Sequence, residues 1–169
     1  MSGRGSVARS VALAAPAEVV WERAVTLEGI NDEFVPLMKM TTPRGMDGAT
    51  IADVEPGVPV GRSWILLGRL IPVDWDDLRL VEIEPPRRFL ERSSMASMTS
   101  WEHERVIDRA GEGECVLTDS LRFELRRPLR WIPGSGRLAA AIVRALFGHR
   151  HRRLARAHGA GLSVPPLAP

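Results

Sequence analysis

A chain of 169 residues with 44% apolar content is sized for one domain with a single sizeable core. The formal net charge is only +2, and Lys39 is the sole lysine, so the basic character behind a pI of about 9.4 is carried by arginine. Only Arg144 to Arg156 approaches a concentrated basic patch, which argues against a nucleic-acid partner.

No stretch reaches the roughly 20 apolar residues of a membrane span, since even LAAAIVRALFG is broken by Arg144. An integral membrane protein is therefore not expected. The lone Cys115 permits no internal disulfide and fits a reducing compartment. In MSGRGSVARSVALAAPA the apolar run VALAA is shorter than the roughly 7 residues of a signal core. The expected address is the cytoplasm.

In chain order, Ser6 to Leu13 alternates as a first strand, with Val7, Arg9, Val11 and Leu13 on one face. Pro16 suits the first turn of a helix, and PAEVVWERAVTLEGINDEF predicts two short helices joined near Gly29. Residues 35 to 42 are a second candidate strand, and ATIADV a short one within a glycine- and proline-rich stretch. Five strands follow: RSWILLGRL, WDDLRLVEI, RRFLERSS, SMTSWEHERVID and ECVLTDSLRFEL. Turn signals in IPVD, EPPR, a serine- and methionine-rich bend and DRAGEG separate them as an antiparallel meander. A long helix is predicted from about Arg137 to His158, ended by Gly159, with Leu138, Ile142, Leu146, Arg150 and Leu154 on one stripe. The tail 159–169 is expected to be disordered. The elements describe an α+β domain over residues 6–158, in which a curved antiparallel sheet wraps the long C-terminal helix. A bent sheet cannot pack flat on a straight helix, so an apolar cavity between them is expected.

The strand SWEHERV places Trp101, His103, Arg105 and Ile107 on one face. Asp119 falls among Cys115, Leu117, Leu121, Phe123 and Leu125 on the inward face of the next strand. A hairpin closed around Gly111 would set His103 opposite Asp119, while a slip of two residues would keep both inward and move them apart. Such a pair serves a buried structural contact, ligand recognition or proton transfer. Arg150 is placed to face the pocket, or to pair with an acid such as Glu102. Trp64 and Trp75 are candidates for the cavity wall. His149 and His151 are two apart and cannot chelate from one helical face, so no metal is expected. No phosphate-binding loop, GxSxG, CxxC or HExxH occurs, and no cofactor is implied.

Taken in order, PAEVVWERAVTLEGINDEF, GRSWILLGRLIPVDW, EPPRRF, SWEHERV, LTDSLRFEL and LFGHRHRRL resemble the START and polyketide-cyclase (SRPBCC) superfamily, and most of all its bacterial ligand-binding members. The resemblance implies a helix-grip fold with a deep cavity for a lipid, polyketide or other hydrophobic molecule. It also implies that Trp101, His103, Asp119 and Arg150 match recurring polar positions of that cavity.

The leading expectation is thus a binding or carrier protein for a hydrophobic small molecule, with Trp64, Trp75, Trp101, His103, Leu117, Asp119, Leu121, Phe123, Leu146 and Arg150 as ligand contacts. A second is a polyketide cyclase or dehydratase in which His103 acts as acid or base, Asp119 orients it and Arg150 polarises a carbonyl. A third is an interaction module that docks through Arg152, Arg153, Arg156 and the RWIPG loop, which leaves peripheral membrane contact open. Oligomeric state is not legible.

Overall fold

The computed structural model describes residues 3–161 apart from Asp47. Its elements are β1 (Arg4–Leu13), α1 (Ala17–Ala24), α2 (Leu27–Phe34), β2 (Met38–Met40), β3 (Pro59–Leu67), β4 (Ile71–Glu84), β5 (Arg88–Met95), β6 (Met98–Gly111), β7 (Glu114–Leu125) and α3 (Ser135–His158). The strands form one antiparallel sheet in the order β1-β7-β6-β5-β4-β3-β2. The meander therefore runs unbroken from β2 to β7, and β1 adds to its far edge. The sheet curls around α3, which packs against β1 and α2, giving the helix-grip arrangement.

Local chemistry accounts for several boundaries. The break between the first two helices falls at Val25 and Thr26 rather than at Gly29, because Thr26 caps α2 by accepting from the Gly29 amide at 3.1 Å. Gly29 serves another purpose, since a Cβ there would lie 1.9 Å from the Arg23 carbonyl oxygen. The segment ATIADV is not a strand. Thr50 and Asp53 form a reciprocal capping box around a single 3-10 turn, Ile51–Asp53. IPVD belongs to β4, and the chain turns instead at Gly68, Arg69 and Leu70, where Gly68 and Arg69 both take positive φ.

The hairpin of β6 and β7 takes the slipped register. Arg105 lies opposite Asp119 and His103 opposite Leu121, two residues away from a hairpin centred on Gly111. The turn residues are Glu112 and Gly113, with Gly113 at φ 78°, and an irregularity between Arg109 and Gly111 absorbs the offset.

In α3 the inward stripe is Val143, Phe147, Arg150, His151 and Leu154. Leu138 and Ile142, placed on that stripe by periodicity alone, are 63% and 59% exposed. A row that steps by four residues overshoots each helical turn by about 40°, so it winds off the buried face toward the start of α3, and Ile142 lines the cavity while remaining exposed. Beyond α3, Ala160 bridges Leu13 and Gly161 donates to the Ala12 carbonyl at 3.0 Å, so residues 159–161 extend the edge of β1. The rest of the expected tail, 162–169, lies outside the described residues.

Candidate functional site

Between α3, α2 and the concave face of the sheet lies a cavity of about 400 Å³. Phe34, Met38, Ile65, Met95, Trp101 and Phe147 supply much of its apolar wall. Methionine is suited to such a surface, because an unbranched polarizable side chain adapts to irregular shapes. The polar lining is mostly ionisable: Asp74, Asp76, Glu91, His103 and Arg150, joined by Thr42, Ser63 and Ser97.

Behind that lining sits a buried ionic network that ties both helices to the sheet. Arg105, fully buried, makes a two-pronged contact with Glu33 of α2, Nη1 and Nη2 each donating at 2.9 Å. Its Nε and Nη2 donate to the two oxygens of Asp119 at 2.8 and 3.0 Å. The planar fork of arginine fits two carboxylates in a way that a lysine could not. His103 Nε2 meets Asp119 Oδ1 at 2.7 Å, and His151 Nε2 of α3 meets Oδ2 at 2.8 Å. Arg150 Nε donates to Glu33 at 2.8 Å, and its guanidinium is sandwiched between Phe34 and Phe147, each 4.6 Å from the ring centre.

The charges in this cluster explain the shifted acidities. Burial alone would raise the Asp119 carboxyl, but the Arg105 guanidinium and the hydrogen bonds from His103 and His151 outweigh it and hold it well below the usual carboxylate range. Glu33 is likewise lowered, burial being overcome by Arg105 and Arg150. His103 is raised, since Asp119 on one side and Glu91 on the other exceed the cost of burial. Its Nδ1 is 3.7 Å from Glu91 Oε2. Both ring nitrogens therefore face acids.

Glu91 also accepts from Ser93 Oγ at 2.6 Å. Next to them is Asp76, 3% exposed, whose Oδ1 has no hydrogen-bond partner among the described residues. Burial, reinforced by the charge of Glu91, pushes the Asp76 carboxyl well above the ordinary value. The second orphan in this region is His151 Nδ1.

Trp101, His103, Leu146 and Arg150 line the cavity. Asp119 stands one layer behind, bonded to His103, and Leu117, Leu121 and Phe123 are buried in the core beside it. The slipped register does not part His103 from Asp119, because the side chains meet diagonally across the ladder. Trp64 and Trp75 lie elsewhere: they face each other across β3 and β4 on the outer surface, edge to face at 5.8 Å, with Arg62 stacked on Trp75. Strand alternation requires this, because Ser63, Ile65, Asp74 and Asp76 take the inward positions. Arg150 pairs with Glu33, whereas Glu102 pairs with Arg92 and Arg122 at the surface.

Three residues escaped the sequence reading, Glu33, Asp76 and Glu91, and a fourth, His151, was weighed there only as a metal ligand. Asp76 shares a face with Leu78 and Leu80, and Glu91 with Phe89, Ser93 and Met95, so the alternation that exposed His103 would have found both. His151 follows Phe147 by four residues on the helix. Glu33 carried only an indirect signal: two inward arginines with one inward aspartate require a second acid.

The sheet order, the single long helix and the cavity between them define the helix-grip fold of START-type (SRPBCC) proteins, and solved structures agree. Protein CV1439 from Chromobacterium violaceum superposes with a TM-score of 0.68 at 12% identity, over 92% of this chain and 98% of that one. A START superfamily protein from Mycobacterium smegmatis gives 0.57 at 17% identity, over 91% and 94%. The Zhui aromatase/cyclase from Streptomyces sp. R1128 gives 0.54 at 19% identity, over 92% and 89%. Among proteins of curated function, none matches the sequence. The chain belongs to the family described as Domain of unknown function (DUF8410), whose model matches residues 11–158.

No helix among the described residues is long and apolar enough to cross a membrane.

Proposed function

We propose that the protein binds or carries a hydrophobic small molecule, lipid- or polyketide-like, in the cavity between α3 and the sheet. The observation that carries this reading is the cavity itself: about 400 Å³ of space walled mainly by apolar side chains, with a minority of polar groups among them. A pocket of that volume accommodates a drug-sized ligand, and convergent polar groups in an apolar wall are what fix a ligand's orientation. Trp101, His103, Leu146 and Arg150 are the ligand contacts in this reading.

A neutral fluorescent probe such as N-phenyl-1-naphthylamine tests it. Ala139 lines the cavity from α3, so Ala139→Trp should fill the space. Saturable fluorescence enhancement with the wild-type chain, abolished in a folded Ala139→Trp variant, is expected. No enhancement with either chain would overturn the reading.

A cyclase or dehydratase is the second reading, favoured by one observation: His103 lines the cavity with Asp119 directly behind it. In this role Asp119 positions the ring and His103 transfers the proton, while Arg150 polarises a carbonyl. The geometry favours binding over turnover, because Nε2 is committed to Asp119 and Nδ1 points toward Glu91. Turnover of a polyketide-like substrate that is lost in His103→Ala, with probe binding retained, would favour the catalytic reading.

A further inference from the structure

The charges around the cavity do not balance evenly. Glu33 and Asp119 are matched by Arg105 and Arg150, two acids to two guanidiniums, all hydrogen-bonded together behind or beside the lining. On the β4 and β5 side, Asp74, Asp76 and Glu91 line the same cavity, and among the described residues none has an arginine or lysine partner. Asp74 accepts from the Ser97 hydroxyl and from the Trp75 amide, so it is satisfied locally. Glu91 accepts from Ser93 and has His103 Nδ1 at 3.7 Å. Asp76 is the exception: it is 3% exposed, lines the cavity, and leaves Oδ1 without a donor.

A buried carboxylate oxygen without a donor is costly, and proteins rarely leave one in place without a use for it. An ionised carboxyl oxygen only accepts hydrogen bonds, so a group that meets Asp76 in that form must donate one, and beside Glu91 a donor that is also positive is favoured most. We propose that the molecule held in this cavity ends in a hydrogen-bond-donating head, a protonated amine on an apolar skeleton, which docks on Asp76 Oδ1 next to Glu91. This rests on the reading that the cavity holds a hydrophobic ligand, and it names the ligand's class. The apolar body lies along Trp101, Phe147 and Met95, and a carboxylate head is disfavoured at this end, where it would meet Glu91 and oppose the ionisation of Asp76. The raised pKa of Asp76 fits the same picture, because a buried carboxyl lacking a cation resists ionisation and a ligand ammonium supplies the missing charge.

Decylamine, decanol and decanoate share one apolar chain and differ only in the head, and each is titrated at neutral pH against bound N-phenyl-1-naphthylamine. The amine should displace the probe at a concentration at least about tenfold lower than decanoate, with decanol between them. Asp76→Asn keeps the shape and removes the charge, and it should abolish the advantage of amine over alcohol; Glu91→Gln should diminish it. Thermal melts establish that each variant is folded, and the ranking in the wild-type chain stands as a test without either. Equal displacement by amine and decanoate, or a ranking unchanged in both variants, would overturn the assignment while leaving probe binding intact. Failure of the naphthylamine itself to bind would overturn the carrier reading and this one with it.

Discussion

Replacing Glu33 by glutamine keeps the shape of the side chain and removes one charge from the centre of the network. In the wild-type chain that carboxylate receives two bonds from Arg105 and one from Arg150 Nε, and the Glu33 and Arg105 side chains are 3% and 0% exposed. The substitution leaves Asp119 as the only buried carboxylate facing two buried guanidiniums, and the amide nitrogen of glutamine directs a donor at a donor. Breaking a buried pair by removing one partner costs about 3 to 5 kcal/mol, because the orphaned charge stays out of water. For a domain of this length each kcal/mol moves the melting temperature by about 2 to 4 °C, so the variant should melt about 6 to 20 °C lower. Urea denaturation measures the loss directly, with a lower midpoint and an unchanged slope. Arg62 and Asp77 provide the control. They have the same two-pronged geometry at 2.7 and 3.0 Å, but with side chains 49% and 42% exposed, so Asp77→Asn should leave the midpoint within error. If Glu33→Gln proved as mild as Asp77→Asn, the reasoning that burial gives this network its energetic weight would be refuted. Adding Arg150→Met to Glu33→Gln should recover part of the loss, since it restores one acid to one guanidinium.

Three further outcomes are expected. Stability should fall as pH drops below the ordinary carboxylate range, because Asp119 and Glu33 have lowered folded-state values and contribute stability above their unfolded value near 4 that is lost on protonation; a melting temperature independent of pH between about 5 and 2 would contradict this. Asp76 and His103 have the opposite sign: both are raised on folding, so each favours the folded state at lower pH and that contribution is lost as pH rises, for Asp76 from near 4 and for His103 from near 6.5. Asp76→Asn should accordingly melt above the wild-type chain at pH 7 and lose that advantage at pH 4, and a lower melting temperature at pH 7 would count against the shift. Trp101→Ala should cost about 3 to 5 kcal/mol by opening the cavity wall, and should weaken probe binding, whereas Trp64→Ala should leave binding unchanged; equal effects on binding would place Trp64 inside.

Much of the architecture was legible because it rests on short-range patterns. Period-two alternation located β3 to β7, and proline, glycine and turn chemistry located most of their ends. ATIADV failed as a strand for a readable reason, the Thr50 and Asp53 capping box, which competes locally with extension. The face assignments of His103, Arg105 and Asp119 held because alternation is insensitive to register slips of two residues, and the same insensitivity is why the pairing register could not be settled. Trp64 and Trp75 show the opposite weakness, since hydrophobicity alone suggested the cavity and alternation, applied strictly, places them outside. The contact of Glu33 with Arg105 joins residues 72 positions apart, and no local pattern encodes such a distance. Only the requirement of charge balance pointed toward it.

The central claim, that the cavity binds a hydrophobic small molecule, is tested most directly by native mass spectrometry of the protein purified from its own host, followed by denaturing extraction of whatever accompanies it. The account predicts a mass increment for one apolar molecule that disappears on denaturation, and an extracted compound that carries a donor head. A chain that arrives with no bound molecule, and that takes up none from a panel of apolar amines, alcohols and acids, would contradict it.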